Sequence, residues 1–386
     1  MTPTATLTPR GVERTKIGHP WIYRSDVTSV RANAGDVVQV MGPRGRFFGM
    51  AFFSDRSQIA LRFLTRDQQT VDEAFWRARL ARAFAYRESL AIDASAYRVV
   101  HGEADLLPSL IVDRYDNYLV LQTLSQGTDR LRDVYARALG DLLSPAGILA
   151  RNDAKVRTLE GLEMRTETLL GAVPDHVEVR EGRIVYHVNL HTGQKTGLFL
   201  DQRENREAAA RYAHGRLLDC FSYHGGFALA LAARCHEVTA IEASEDAAER
   251  IRANAARNGL THVTVRTANV FDELREFDRA DERFDTIVLD PPAFAKNRAA
   301  LPKALAGYKE INLRALRLLS PGGILVTCTC SHHVDEYTFA DVLTSAALDA
   351  GAQVTIVEKR VQGRDHPVLL GVPETQYLKC FILRKL

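Results

Sequence analysis

The sequence predicts an α/β protein. A doubly wound, mostly parallel sheet is expected over residues 191–386, preceded by a small β-barrel over 1–70 and a linker helix with a central α+β region over 71–190. Three observations carry this. First, Gly215 to Leu231 reads as a short apolar strand that turns polar at Asp219, bends through Gly225-Gly226 and resumes as an alanine-rich helix. Strand, glycine turn and helix is how an open α/β sheet forms a nucleotide pocket at the end of its first strand. Second, each later strand of that half ends in polar residues, at Glu242, Asn269, Asp290 and Cys328-Thr329-Cys330-Ser331. Third, the first seventy residues hold several short strands broken by Gly/Pro turns, the signature of a small barrel.

In the barrel, Asp36 to Met41 alternates into the turn Gly42-Pro-Arg44-Gly45, returns as Arg46 to Phe53, and is followed by a strand over Gln58 to Leu64. Trp21, Tyr23, Arg44 and Arg46 are candidates to stack on or pair with RNA. For Trp21, filling the barrel core competes with that role. Val71 to Leu90 is a linker helix with an apolar stripe at Phe75, Leu80, Phe84 and Leu90. The central region has a hairpin turned at Asp116-Asn117, a helix from about Arg130 to Leu143, and a second hairpin turned at Glu181-Gly182. Asp201, with Glu204 three residues on, reads as a capping box.

In the last half, Glu242 ends its strand about twenty residues past the glycine turn, where an acid accepts both hydroxyls of a ribose. Ser244 opens a helix that runs to Asn258, and Asn269 stands where a side chain meets an adenine edge. The fourth strand, Phe284 to Leu289, ends at Asp290-Pro-Pro-Ala-Phe294, and the fifth, from Gly323, runs into Cys328. A helix is expected to begin near His333. The dinucleotide fingerprint G-x-G-x-x-G is absent, since Gly225 and Gly226 are adjacent and Phe227 follows, and no Gly-Lys-Ser/Thr phosphate loop occurs.

Composition narrows the class. The chain has 386 residues, 46% hydrophobic and 25% charged, which fits a protein of two or three domains with a sizeable core. No apolar run approaches the ~20 residues of a membrane span, and the first residues lack a signal-peptide pattern, so a cytoplasmic location is expected. The five cysteines are odd in number and contain no Cys-x-x-Cys pair, which counts against a disulfide framework or zinc. Residues 1–100 hold 15 Lys+Arg against 9 Asp+Glu, leaving 35 against 39 for the rest. The positive excess therefore sits on the barrel end, as it would on a nucleic-acid-binding module.

Taken together these features resemble the class I S-adenosylmethionine-dependent methyltransferases. Thr196 to Arg206, Asp290-Pro-Pro-Ala-Phe, Gly307-Tyr308-Lys309, Thr329-Cys330-Ser331 and Asp365-His366-Pro367-Val sharpen the resemblance. They are similar to the RlmI-type large-subunit (23S) rRNA (cytosine-C5) methyltransferases, and His19-Pro-Trp21-Ile-Tyr23 with Gly35-Asp36-Val-Val resembles that family's N-terminal PUA barrel. The resemblance covers nearly the whole chain. It implies a class I (Rossmann-like) sheet, S-adenosylmethionine as cofactor and large-subunit ribosomal RNA as partner. It leaves a homodimer open and implies neither membrane nor metal.

It also implies the chemistry. Carbon 5 of cytosine is a poor nucleophile until a thiolate adds to carbon 6. Cys330 matches the family's nucleophile, with Asp290 holding the base edge; Cys328, inside the strand, is read as structural. Asp219 is expected to meet the methionine ammonium, with Phe199, Arg203, Phe221, Ser222, Gly225, Glu242, Asn269 and Asp290 around the cofactor. Phe294 is expected to stack on the target base and Lys309 to reach phosphate, with Trp21 and Arg44 as further RNA contacts. His332, His333 and His366 are read as loop histidines or RNA contacts rather than metal ligands. Methylation of a ring or exocyclic nitrogen is the rival reaction, since such enzymes share Asp/Asn-Pro-Pro loops. A non-catalytic ribosome-assembly factor is the rival outside enzymology.

Overall fold

The structure is a computed structural model that describes residues 2–193, 196–295 and 297–386. It divides into two compact units: Met1–Val179 with Val188–Leu200 and Arg364–Thr375, and Arg180–His187 with Asp201–Gly363 and Gln376–Leu386.

The first unit opens with a six-stranded sheet where the sequence predicted a small barrel: β1 (Thr4–Leu7), β2 (Trp21–Tyr23), β3 (Val27–Arg31), β4 (Val37–Met41), β5 (Phe47–Phe53) and β6 (Ile59–Thr65), in the order β2-β6-β5-β4-β1-β3. Period-two alternation fills it: Ala5, Leu7, Ile22, Val38, Val40, Ala51 and Leu61 are all buried. Helix α1 (Pro9–Lys16) starts where Thr8 Oγ1 accepts from Gly11 N–H (3.0 Å) and Pro9 fills the first turn.

Helix α2 (Glu73–Ser89), capped by Asp72, is more than the linker the sequence suggested. Its buried face is Trp76, Leu80, Ala83 and Arg87, rotated from the expected Phe75–Leu80–Phe84–Leu90 stripe. The reason lies in its neighbours. Trp76 stacks on Phe52 of β5 (5.4 Å, 8°) and meets Tyr135 edge-on (5.5 Å), and Arg87 is buried against Asp105 (2.5 Å). The helix therefore belongs to a shared core. That core also takes in the sheet β7 (Ala96–His101), β8 (Leu110–Tyr115), β9 (Tyr118–Thr123), β10 (Gly147–Asn152) and β11 (Arg165–Gly171), with α3 (Gln126–Arg130) and α4 (Arg132–Leu143). The β8–β9 turn sits at Asp116 as expected, in the left-handed region at φ 54°. His366 is buried against Asp365 (3.1 Å) in this unit, which removes it as an RNA contact.

A hairpin, β12 (His176–Glu181) and β13 (Ile184–Asn189), leads into the second unit. There a seven-stranded sheet runs β16-β15-β14-β17-β18-β20-β19. Its strands are β14 (Gly215–Cys220), β15 (Cys235–Glu242), β16 (Val263–Thr267), β17 (Phe284–Leu289), β18 (Leu319–Thr329), β19 (Val354–Arg360) and β20 (Lys379–Lys385). Strands β14 to β18 pair in parallel, and β20 lies antiparallel between β18 and β19. The helices are α5 (Arg203–Ala210), α6 (Gly226–Ala232), α7 (Glu245–Arg257), α8 (Val270–Arg279), α9 (Leu301–Leu318) and α10 (Glu336–Ala350).

Alternation along the strands feeds two cores. Leu218, Ile287, Leu289 and Leu325 pack with Leu274, Tyr308, Ile311 and Phe339, while Leu217, Val288, Val326 and Cys328 pack with Ala208, Phe227, Leu231 and Ile251. Both faces are covered, so these strands read as continuous apolar runs rather than as alternating ones. This order is the Rossmann-like methyltransferase sheet that the sequence predicted, with its antiparallel end. Two local readings are corrected. Helix α10 begins at Glu336, capped by Asp335 (Thr338 N–H to Oδ1, 2.8 Å), not near His333. Helix α5 is preceded by Gln202; Asp201 sits in the 3-10 turn before it, where its Oδ2 accepts from the Tyr377 hydroxyl (2.7 Å) instead of capping.

Candidate active site at the strand ends

All the chemistry-bearing residues expected in the second unit, except Arg203 and Lys309, lie at or just past the carboxyl ends of β14 to β18. The loop after β14 is strained in a defined way. Gly225 takes φ 84°, and a Cβ there would meet Ile251 Cγ2 and Leu229 Cγ at 3.1 Å. Phe221 (φ 62°) and Tyr223 (φ 55°) adopt left-handed conformations without being glycine. Such strain of order 1–3 kcal/mol per residue persists where surroundings over-determine it, and it clusters at ligand sites.

Asp219, 1% exposed, is the centre of this loop. Its Oδ2 accepts from Ser222 Oγ (2.5 Å) and from Ala228 N–H (2.9 Å) in the first turn of α6. Its Oδ1 is buried and takes no hydrogen bond from the described residues. Burial pushes its carboxyl up to about 7, with Asp290 and Glu242 adding in the same direction and the two hydrogen bonds opposing. A buried acceptor with no donor, repelled by two nearby acids, fits a ligand that brings an ammonium.

Glu242 ends β15. Its Oε2 accepts from Tyr223 N–H (2.8 Å) and its Oε1 from Ser244 N–H (2.9 Å), which fixes the carboxylate at the mouth of the glycine turn with acceptor capacity for ribose hydroxyls. Asn269 is the exposed N-cap of α8, its Oδ1 taken by Phe271 N–H (2.9 Å). Arg203 is buried on α5, 3.8 Å from Glu204. Phe199 lies in the first unit, half-buried.

The chemistry loops stand on adjacent parallel strands, β17 and β18. Gln202 Nε2 donates to Asp290 Oδ1 (2.8 Å), and Asn205 Nδ2 holds the Gln202 oxygen (2.7 Å). Cys330 directly follows β18 and is the one cysteine the structure leaves partly exposed; Cys220, Cys235, Cys328 and Cys380 are buried. Its neighbours on both sides are pinned by one group. The Tyr308 hydroxyl bonds Ser331 Oγ (2.9 Å) and Thr329 Oγ1 (2.8 Å), and Ser331 Oγ also accepts from Ala295 N–H (3.2 Å) in the Asp-Pro-Pro loop. Ser331 thus ties the two loops together. Cys328, paired in register with Cys380, is fully buried, and burial first of all pushes its thiol well up, so it stays protonated.

The substrate-side expectations fare unevenly. Phe294 packs on Tyr308 (4.6 Å) in an aromatic cluster with Phe221 and Phe271, so part of its ring is spent on the loop. Lys309 is paired with Asp349 of α10 (2.6 Å), which engages the ammonium expected to reach phosphate. Trp21 donates its indole N–H to Glu103 (3.0 Å) and is half-buried, and Ile22 rather than Trp21 fills the barrel. Arg44 is exposed in the β4–β5 turn at φ 64°. His332 and His333 are exposed, and no group of three His, Cys, Asp or Glu side chains able to hold a metal occurs among the described residues.

Sequence reasoning missed Gln202, Tyr308 and the pair Arg206–Glu181. A signal existed for Tyr308: with Ala304, Ile311, Ala315 and Leu318 it lies on the buried stripe of α9. Arg206 lies under the glycine turn, forked onto Glu181 of the hairpin (Nε–Oε1 2.7 Å, Nη2–Oε2 2.5 Å). No local pattern marks that pair.

Known proteins place this arrangement. Residues 5–66 match the PUA-like domain family, and residues 136–373 match the S-adenosylmethionine-dependent methyltransferase family. Curated relatives share 42% identity over 377 residues (Tolumonas auensis) and 40% over 377 residues (Pseudoalteromonas atlantica), each covering 95% of both chains; both are named ribosomal RNA large subunit methyltransferase I. Among solved structures, a protein described as a methyltransferase complexed with SAH superimposes with a TM-score of 0.85 at 20% identity, and a SAM-dependent methyltransferase from Streptococcus mutans with 0.83 at 19%; each comparison covers 100% of both chains and supports the fold. The chain belongs to the S-adenosylmethionine-dependent methyltransferases, within the family of the ribosomal RNA large subunit methyltransferase I proteins.

Proposed function

We propose that this enzyme methylates carbon 5 of a cytosine in large-subunit ribosomal RNA, with Cys330 as the nucleophile. The observation that carries the reading is the placement of Cys330. It is the part-exposed thiol at the end of β18, pinned through Thr329 and Ser331 and tied by Ser331 to the loop that carries Asp290. The names of the relatives supply the RNA.

When bound, S-adenosylmethionine supplies an electrophilic methyl group on a sulfonium. Asp219 would receive its ammonium, Glu242 its ribose hydroxyls and Asn269 its adenine edge, with Phe221, Ser222, Gly225 and Arg203 shaping the pocket. Cys330 Sγ adds to carbon 6 of the cytosine, and the electron pair moves onto carbon 5 and makes it nucleophilic toward a methyl donor. Asp290, oriented by Gln202, holds the base edge through the addition. A base takes the carbon-5 proton, the C–H electron pair re-forms the ring double bond, and the C6–S bond breaks to expel the thiolate. Phe294 closes the loop side of the base. Residues 1–70, with the basic excess and exposed Arg44, grip RNA, and 191–386 carry out transfer. The cytoplasm suits this substrate, and no helix among the described residues is long and apolar enough to cross a membrane.

Incubation with labelled S-adenosylmethionine and unmodified large-subunit rRNA is expected to place the label in 5-methylcytosine, read by nucleoside chromatography. Label in a nitrogen-methylated base would replace this reading with the rival one.

Asp219 gives a second check. Its carboxyl sits near 7 in the free protein, so below that pH the ammonium of the cofactor must displace a proton. Calorimetry is expected to show affinity falling roughly tenfold per pH unit below about 7 and levelling above it. In Asp219→Asn the slope disappears and binding is weak throughout. A wild-type affinity flat across this range removes Asp219 from the ammonium site.

A further inference from the structure

A helix beginning near His333, as the sequence predicts, would set its N-terminus beside Cys330 and favour a thiolate there. The structure does not provide it: α10 starts at Glu336, and Asp335 takes the Thr338 N–H of its first turn. Another cation is present. Lys379, the first residue of β20, lies directly opposite Thr329 in the antiparallel register, one residue before Cys330. Its Nζ donates to the carbonyl of Ser331 (3.2 Å), one residue after Cys330, and to that of Tyr377 (3.3 Å). The ammonium is therefore moored to the carbonyl just after the thiol-bearing residue and to its own segment at Tyr377, and only 5% of Lys379 is exposed.

A buried ammonium is costly unless something negative or dipolar compensates it. Burial lowers the pKa of Lys379; Asp335 and Cys330 both raise it, and the two carbonyl acceptors also favour the charged form. The attraction is reciprocal: whatever a thiolate at Cys330 does for the ammonium, the ammonium does for the thiolate. The other ionisable groups facing this corner work differently. Tyr308, on α9, is buried with its pKa raised and stays neutral, and Asp335, at the start of α10, faces Lys379 from an exposed position. Asp290, at the end of β17, acts on Cys328, and His332 and His333 are exposed in the loop.

We propose that Lys379 is a positioning residue for the nucleophile: its buried ammonium holds Cys330 as a thiolate, ready for addition to carbon 6. The step involves no redox change. The S–H bond breaks, its proton leaves to solvent, and the electron pair stays on Sγ beside the cation. The inference rests on Cys330 as nucleophile, and its test does not depend on methylation.

The test is the rate of iodoacetamide alkylation at Cys330 across pH, followed by peptide mass spectrometry in the full-length protein. A free thiol titrates near ~8.5, and a neighbouring opposite charge moves a group by about 1–3 units. The wild-type midpoint is expected at least about one unit below the free value, to return toward it in Lys379→Met, and to stay low in Lys379→Arg. An unchanged midpoint in folded Lys379→Met overturns the proposal. If that variant does not fold, a wild-type midpoint at or above the free-thiol value overturns it without any variant. A failure here leaves Cys330 as nucleophile standing, whereas methylation by Cys330→Ala would remove the nucleophile and leave the alkylation profile as measured.

Discussion

Cys330→Ala is expected to bind S-adenosylmethionine as wild type does and to lose rRNA methylation by about 10^3-fold or more, equivalent to about 4 kcal/mol of transition-state stabilisation. The thiol is not part of the cofactor loop after β14, so binding is spared. In the proposed reaction it is the atom that makes carbon 5 nucleophilic, so turnover is not. Cys328→Ala separates the two neighbours. Cys328 is buried in the strand and packed against the α5–α6 side of the sheet, and its replacement is a core substitution. It is expected to lower stability modestly and to leave turnover of the folded fraction intact. Single-turnover assays with labelled cofactor, alongside calorimetry, read both quantities. Methylation by Cys330→Ala at a wild-type rate would take the thiol out of the reaction.

Arg206→Met is expected to cost about 3–5 kcal/mol of folding stability, because it leaves the Glu181 carboxylate buried without its partner. The Arg206 side chain is 3% exposed and that of Glu181 13%, and the pair is a two-bond fork. A loss of that size is a large share of the 5–15 kcal/mol typical of a domain. The double variant Arg206→Met/Glu181→Leu is expected to recover most of it, since removing both charges abolishes the desolvation cost along with the attraction. Urea denaturation of the two variants decides the matter. Equal losses in both would mean that the site needs the Arg206 side chain for its shape and not for its charge. Shape is a real rival, because a Cβ on Gly226 would stand 3.2 Å from Arg206 Nη1.

What the sequence disclosed and what it withheld divide along sequence distance. The strand ends at Asp219, Glu242, Asn269 and Asp290 were legible because a strand buried on both faces is apolar until it reaches the ligand edge. The limits of α7 were legible because Ser244 is a local N-cap. The buried face of α2 was not, since a pattern that treats arginine as polar cannot foresee Arg87 satisfied inside by Asp105. The Lys309–Asp349 pair and the Gln202–Asp290 bond join residues 40 and 88 positions apart, and no local window contains both partners. Lys379 was withheld for the same reason: only the antiparallel register of β20 sets it across from Thr329.

That register also says something about the order in which the protein can assemble. Strand β20 pairs with β18 on one side and β19 on the other, yet it follows both in sequence, after residues 364–375, which belong to the first unit. Until it slots in, β18 is an open apolar edge, the kind of surface that recruits strands from other molecules. Such late, non-local pairing is slow to form. The loop that carries Cys330 therefore gains its flanking strand and the Lys379 bond to Ser331 at the same moment. The cover over that edge and the completed Cys330 loop arrive in one folding event.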